Sequence, residues 1–250
     1  MHVYLAELAG TAILILLGNG VVANVVLPKT KGSGSGWIVV TFGWAMAVFV
    51  AVWCVERISG AHLNPAVTFG LALAGKFEWM QVPGYIAAQL LGGIAGAVLV
   101  FLFYRDHYTE SNDPDAKLAT FATGPAIRNL PRNLFSEAIG TFVLVFAVLM
   151  AAEPTIARGD NLDATAPGMK LGLGTLGALP VGLLVLAIGL SLGGTTGYAI
   201  NPARDLGPRI AHALLPVPNK RDSDWAYAWV PVVGPLLGAA LAVLLWTQMA

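Results

Sequence analysis

Ser59-Gly60-Ala61-His62-Leu63-Asn64-Pro65-Ala66-Val67-Thr68 and Thr196-Gly197-Tyr198-Ala199-Ile200-Asn201-Pro202-Ala203-Arg204-Asp205 are two versions of one pattern. In each, a glycine is followed by three residues and then Asn-Pro-Ala. Asn is a strong helix N-cap, and Pro suits the first helical position, where its missing N–H is no loss. Asn64-Pro65 and Asn201-Pro202 therefore read as helix starts. One such cap is ordinary; two, each inside an apolar stretch too short to cross a bilayer (61–75 and 198–214), are not.

The rest of the chain says where those starts lie. Of 250 residues, 56% are hydrophobic and 11% charged, against roughly 45–50% and about 25% in an average soluble domain. A bilayer core about 30 Å thick takes about 20 apolar residues of helix. Six segments qualify: 3–26, 37–56, 82–104, 134–152, 173–194 and 227–248. The first carries Glu7 and follows no basic region, so it reads as a retained helix and not a signal peptide. Net charge is zero, with none of the basic stripe that nucleic-acid binding needs. Cys54 is the single cysteine and reads as a small packed residue; nothing is spaced as a metal site, a cofactor motif or a catalytic constellation.

The two halves repeat. Ala6-Glu7-Leu8-Ala9-Gly10-Thr11 echoes Ser136-Glu137-Ala138-Ile139-Gly140-Thr141, so 1–124 and 125–250 read as equivalent three-helix units forming one channel domain. Three is odd, so the second unit enters the membrane upside down and the two short segments approach from opposite sides. The expected fold is an all-α membrane protein with six transmembrane helices and two re-entrant half-helices in an inverted repeat. About ten residues of helix span about 15 Å, so two half-helices end to end make one more crossing.

Two helix N-termini meeting at the midplane present the positive ends of both dipoles to the centre, against cations and protons. Asn64 and Asn201 can donate from their amides to a passing oxygen. Irregular backbone at membrane depth is tolerated where it lines a cavity, so Gly60, Ala61, His62, Leu63, Thr196, Gly197 and Ala199 are expected to supply lumen carbonyls. Their N–H groups need acceptors away from water, and Glu7 and Glu137, twins in the repeat, are the candidates.

With these motifs, the chain resembles the major intrinsic protein family, the aquaporins and glycerol facilitators, over essentially its whole length. The resemblance implies an aquaporin-like right-handed bundle in the cell membrane, a pore in each subunit, a homotetramer, and both termini in the cytoplasm. It also implies a constriction at four positions counted from the motifs: Trp44, Gly189, Tyr198 and Arg204. Water-selective members usually place His at the second; Gly189 is expected to leave that space open, with Trp44 and Tyr198 as an apolar corner facing Arg204. That is similar to the glycerol facilitator pattern, as are Asp205, Arg209 and Pro231, while Tyr198 replaces the more usual Phe. Asp205 is expected to support its loop or touch solute.

The implied activity is passive permeation of glycerol and small uncharged solutes with water, and no enzyme activity. The alternatives are a water-selective channel and a gradient-coupled transporter. Family topology puts Lys29, Lys31, Arg105, Lys117, Arg128, Arg132, Lys220 and Arg221 outside, against the positive-inside tendency. Loops 105–133 and 153–172 are expected to be mobile.

Overall fold

Among the described residues of the computed structural model, six helices are long and apolar enough to cross a bilayer, and they fall where the hydrophobic runs place them. Residues 1–151, 155–156, 169–170 and 173–249 are described. In chain order the helices are α1 (His2–Val26), α2 (Trp37–Ser59), α3 (Pro65–Leu73), α4 (Val82–Phe103), α5 (Arg105–Glu110), α6 (Pro114–Ala119), α7 (Leu130–Met150), α8 (Leu179–Leu192), α9 (Pro202–Leu214) and α10 (Val230–Met249). Among the described residues, Thr155–Ile156 and Met169–Lys170 alone pair as strands, two residues each.

Lipid offers no hydrophobic drive between helices, so close approach depends on small residues. A Cβ on Gly92 of α4 would lie 2.4 Å from the Leu8 carbonyl oxygen of α1, and one on Gly238 of α10 would lie 2.1 Å from that of Ala138 in α7. Those two seams, α1 on α4 and α7 on α10, correspond in the repeat. The half-helices are held crosswise: α9 packs on α4 of the other half, and α3 on α10. Gly93 and Gly207 make the first of these contacts possible, since a Cβ on Gly93 would sit 2.7 Å from the Ala203 carbonyl. At nine and thirteen residues, α3 and α9 are about 14 and 20 Å long and together match a bilayer core of about 30 Å.

Helix α7 starts at Leu130, before its apolar run, because the Asn129 side chain accepts from Arg132 N and starts the helix over polar residues. Part of the 105–133 segment forms α5 and α6, contrary to the expectation of a mobile loop. Asp113 caps α6, Tyr108 hydroxyl pairs with Thr120 Oγ1 at 2.5 Å, and buried Lys117 donates to the Pro218 carbonyl at 2.5 Å. Most of loop 153–172 lies outside the described residues. Cys54 is exposed on the bundle's outer face, where a packed position was expected.

Candidate functional site

The two Asn-Pro-Ala starts meet and are tied to each other. Asn64 Oδ1 accepts from Ala66 N at 2.9 Å while its Nδ2 donates to the Ile200 carbonyl at 2.8 Å. Asn201 mirrors it, accepting from Ala203 N at 3.0 Å and Arg204 N at 3.1 Å and donating to the Leu63 carbonyl at 2.8 Å. Pro65 and Pro202 open the helices as the first-turn residues that lose nothing by lacking an N–H. Ala66 and Ala203 are wholly buried behind them.

The approach to each cap runs through backbone of unusual shape. Gly60, Ala61 and Leu63, and at matching positions Gly197, Tyr198 and Ile200, all have positive φ. For the four non-glycines this costs of order 1–3 kcal/mol each, and something must hold them. Glu7 accepts from His62 N at 3.0 Å and Leu63 N at 2.7 Å; Glu137 accepts from Ala199 N at 3.0 Å and Ile200 N at 2.8 Å. In a trans peptide the C=O points opposite the N–H. Tying down those N–H groups therefore turns the carbonyls of Ala61, His62, Tyr198 and Ala199 away from the carboxylates. Glu7 is further bonded by Ser59 Oγ and Gln89 Nε2, both at 2.7 Å.

Two cavities flank the second cap. One, about 190 Å³, is lined by Gly60, Ala61, His62, Leu63 and Ala199 with both Asn residues, and by the apolar side chains of Val48, Val52, Leu144, Val148 and Val185. The other, about 410 Å³, includes Gly197 and Thr123. They share Trp44, Tyr198 and Arg204, so those three residues stand at the junction. Arg204 is stacked over the Trp44 ring, Cζ 4.0 Å from its centroid, and its Nη1 donates to Asn19 Oδ1 at 3.2 Å. A cation over a Trp face is attracted by the ring's quadrupole, which keeps the planar guanidinium flat against one wall.

Gly189 does not leave an opening to the lumen. A Cβ there would be 2.9 Å from Tyr198 Cζ, so the space expected to be vacant holds the tyrosine ring. Gly193 backs the same ring, and Trp37, sharing an edge contact with Tyr198 at 5.8 Å, donates its indole N–H to the Gly189 carbonyl at 3.1 Å. The Tyr198 hydroxyl is buried without a hydrogen-bond partner. The role of Trp37 follows from a contact across 152 residues that spacing does not reveal. Thr196, expected to supply a lumen carbonyl, is buried and lines neither cavity.

Asp205 and Arg209 also lie behind the passage, both fully buried. Arg209 Nε and Nη2 grip Asp205 at 2.8 and 3.0 Å, and Asp205 Oδ2 accepts from Thr123 N and Oγ1, both at 2.7 Å. Arg209 also donates to the carbonyls of Thr123 and Ser223 at 2.8 and 2.7 Å. Of the two roles expected for Asp205, the geometry fits loop support, here of the segment around Thr123.

Comparison with known proteins agrees with this architecture. The model of the Major intrinsic protein family matches residues 1–246. A probable glycerol uptake facilitator protein of Thermotoga maritima is 57% identical over 249 residues, covering 100% of both chains. A glycerol uptake facilitator protein of Streptococcus pneumoniae is 53% identical over 247 residues, covering 99% of each. The X-ray structure of the aquaglyceroporin from Plasmodium falciparum superposes with a TM-score of 0.82 at 32% identity, over 99% of this chain and 95% of that one.

Proposed function

The chain belongs to the major intrinsic protein family, and from that membership and the site's geometry we propose that it is a passive channel for glycerol and other small uncharged solutes, conducting water with them. It is a multi-pass membrane protein and not an enzyme. The observation that carries the reading is a cavity lined both by the cap-approach residues 60–63 and Ala199 and by valines and Leu144, and sharing Trp44, Tyr198 and Arg204 with its neighbour. A polyol has the matching asymmetry: its hydroxyls face the carbonyls and the guanidinium while its CH groups rest on rings and valines.

Ions are excluded on two counts. The N-termini of α3 and α9 each present about half a positive charge to the midplane, and Arg204 adds a whole one at the junction. Among the described residues Glu56 is the one carboxylate on the smaller cavity's lining, and Glu7 and Glu137 are committed to backbone N–H groups, so no ring of carboxylates repays a cation's lost hydration. Residues 1–124 and 125–250 act as the two halves of one channel, the termini face the cytoplasm, and four copies assemble, each with its own pore.

Stopped-flow light scattering of proteoliposomes tests the reading. Glycerol reswelling should be much faster than in empty vesicles, with water shrinkage accelerated too. Faster shrinkage with glycerol reswelling at the empty-vesicle rate would make this a water-selective channel.

A further inference from the structure

Resting on the glycerol reading, we propose that Asn19 is a specificity-determining positioning residue: it fixes the Arg204 guanidinium so that its remaining donors face the passage. Asn19 lies within α1, fully buried, in a helix whose neighbouring residues are almost all apolar. A buried amide needs partners for both ends, and here one end meets the constriction and the other the segment that carries Phe121. Its oxygen accepts from Arg204 Nη1 at 3.2 Å, and its nitrogen donates to the Phe121 carbonyl at 3.0 Å. The two contacts fix which end is which. Turning the amide over would set its NH₂ against a guanidinium that cannot accept and its oxygen against a carbonyl that cannot donate.

A second observation independently assigns this part of α1 to the same site. A Cβ on Gly18 would lie 2.3 Å from Trp44 Cζ3, so Gly18 exists where the Trp44 ring lies flat on the helix. Consecutive residues of α1 thus seat the two stacked partners, Gly18 the indole and Asn19 the guanidinium. Arg204 is held from below by the ring and from the side by the amide, and its other N–H groups are left for solute. Asn19 also joins the arginine to the segment at Phe121, two residues before Thr123, which Asp205 holds. Without the amide, Nη1 has no partner; the guanidinium turns toward the freed Phe121 carbonyl or into the lumen. A molecule with three hydroxyls, which must align with the donors, suffers more from that than water does.

The test replaces Asn19 in the full-length channel and reads the ratio of glycerol to water permeability in proteoliposomes, with monodispersity on size exclusion as the folding check. Asn19→Leu keeps the branched shape and removes both hydrogen bonds; the ratio should fall about tenfold, the worth of a hydrogen bond to a charged group. Asn19→Asp keeps an acceptor for Arg204 and should hold the ratio closer to the parent's. If Asn19→Leu does not fold, Asn19→Ala is read in its place. A purely structural role would lower both permeabilities together. A conducting parent whose ratio is unchanged by Asn19→Leu, or lowered equally by Asn19→Asp, overturns this inference alone, whereas a parent impermeable to glycerol overturns the functional reading beneath it.

Discussion

Tyr198 and Gly189 show how one position sets the meaning of another. Both are found by counting from the motifs, and so are Trp44 and Arg204, because the helix starts fix the register of everything near them. Which side chain fills the gap is not countable: it depends on a ring folding back onto α8 between Gly189, Gly193 and Trp37. Gly189→His should therefore push the tyrosine ring into the passage and cut glycerol permeability far more than water permeability in the same vesicles. Equal loss of both would mean that Gly189 does not shape the constriction. Tyr198→Phe removes a buried hydroxyl that has no partner. Permeabilities should stay within about twofold while thermal unfolding shows a gain of about 1 kcal/mol, because an unsatisfied buried hydroxyl is a net cost.

The elements that the sequence makes legible are those with a strong signal of length or capping. Six long apolar runs and two Asn-Pro starts mark α1, α2, α3, α4, α7, α8, α9 and α10, and the twin glutamates are visible because the repeat places them in register. Helices α5 and α6 are too short and polar for periodicity to mark, and what holds the 105–133 segment is distant: Lys117 on Pro218, Thr123 on Asp205. Two losses should follow from those anchors. Glu137→Gln weakens the bonds that hold Ala199 N and Ile200 N and should destabilise the folded channel by about 2–3 kcal/mol, the worth of charge-assisted hydrogen bonds. The unfolding midpoint in detergent checks this, and a parental midpoint would dissociate Glu137 from the loop's strained backbone. Asp205→Ala strands the buried Arg209 cation; breaking one side of such a pair costs about 3–5 kcal/mol. A sharp drop in recovered monodisperse protein should result, and undiminished recovery would show that the pair is dispensable.

At the scale of the molecule, the inverted repeat explains why both termini can lie on one side and why two half-helices substitute for one crossing. Each half supplies a carboxylate, a run of left-handed backbone and an asparagine, and each asparagine closes on the other half's carbonyl. Because the halves are joined at their centre, the passage is a fixed feature of the packing and needs no exchange between inward-open and outward-open states. The most direct test is uptake of labelled glycerol into proteoliposomes without any ion gradient. Internal glycerol should rise to the external concentration and stop there, much faster than in protein-free vesicles. Uptake at the protein-free rate, or accumulation above the external concentration when an ion gradient is imposed, would contradict a passive channel.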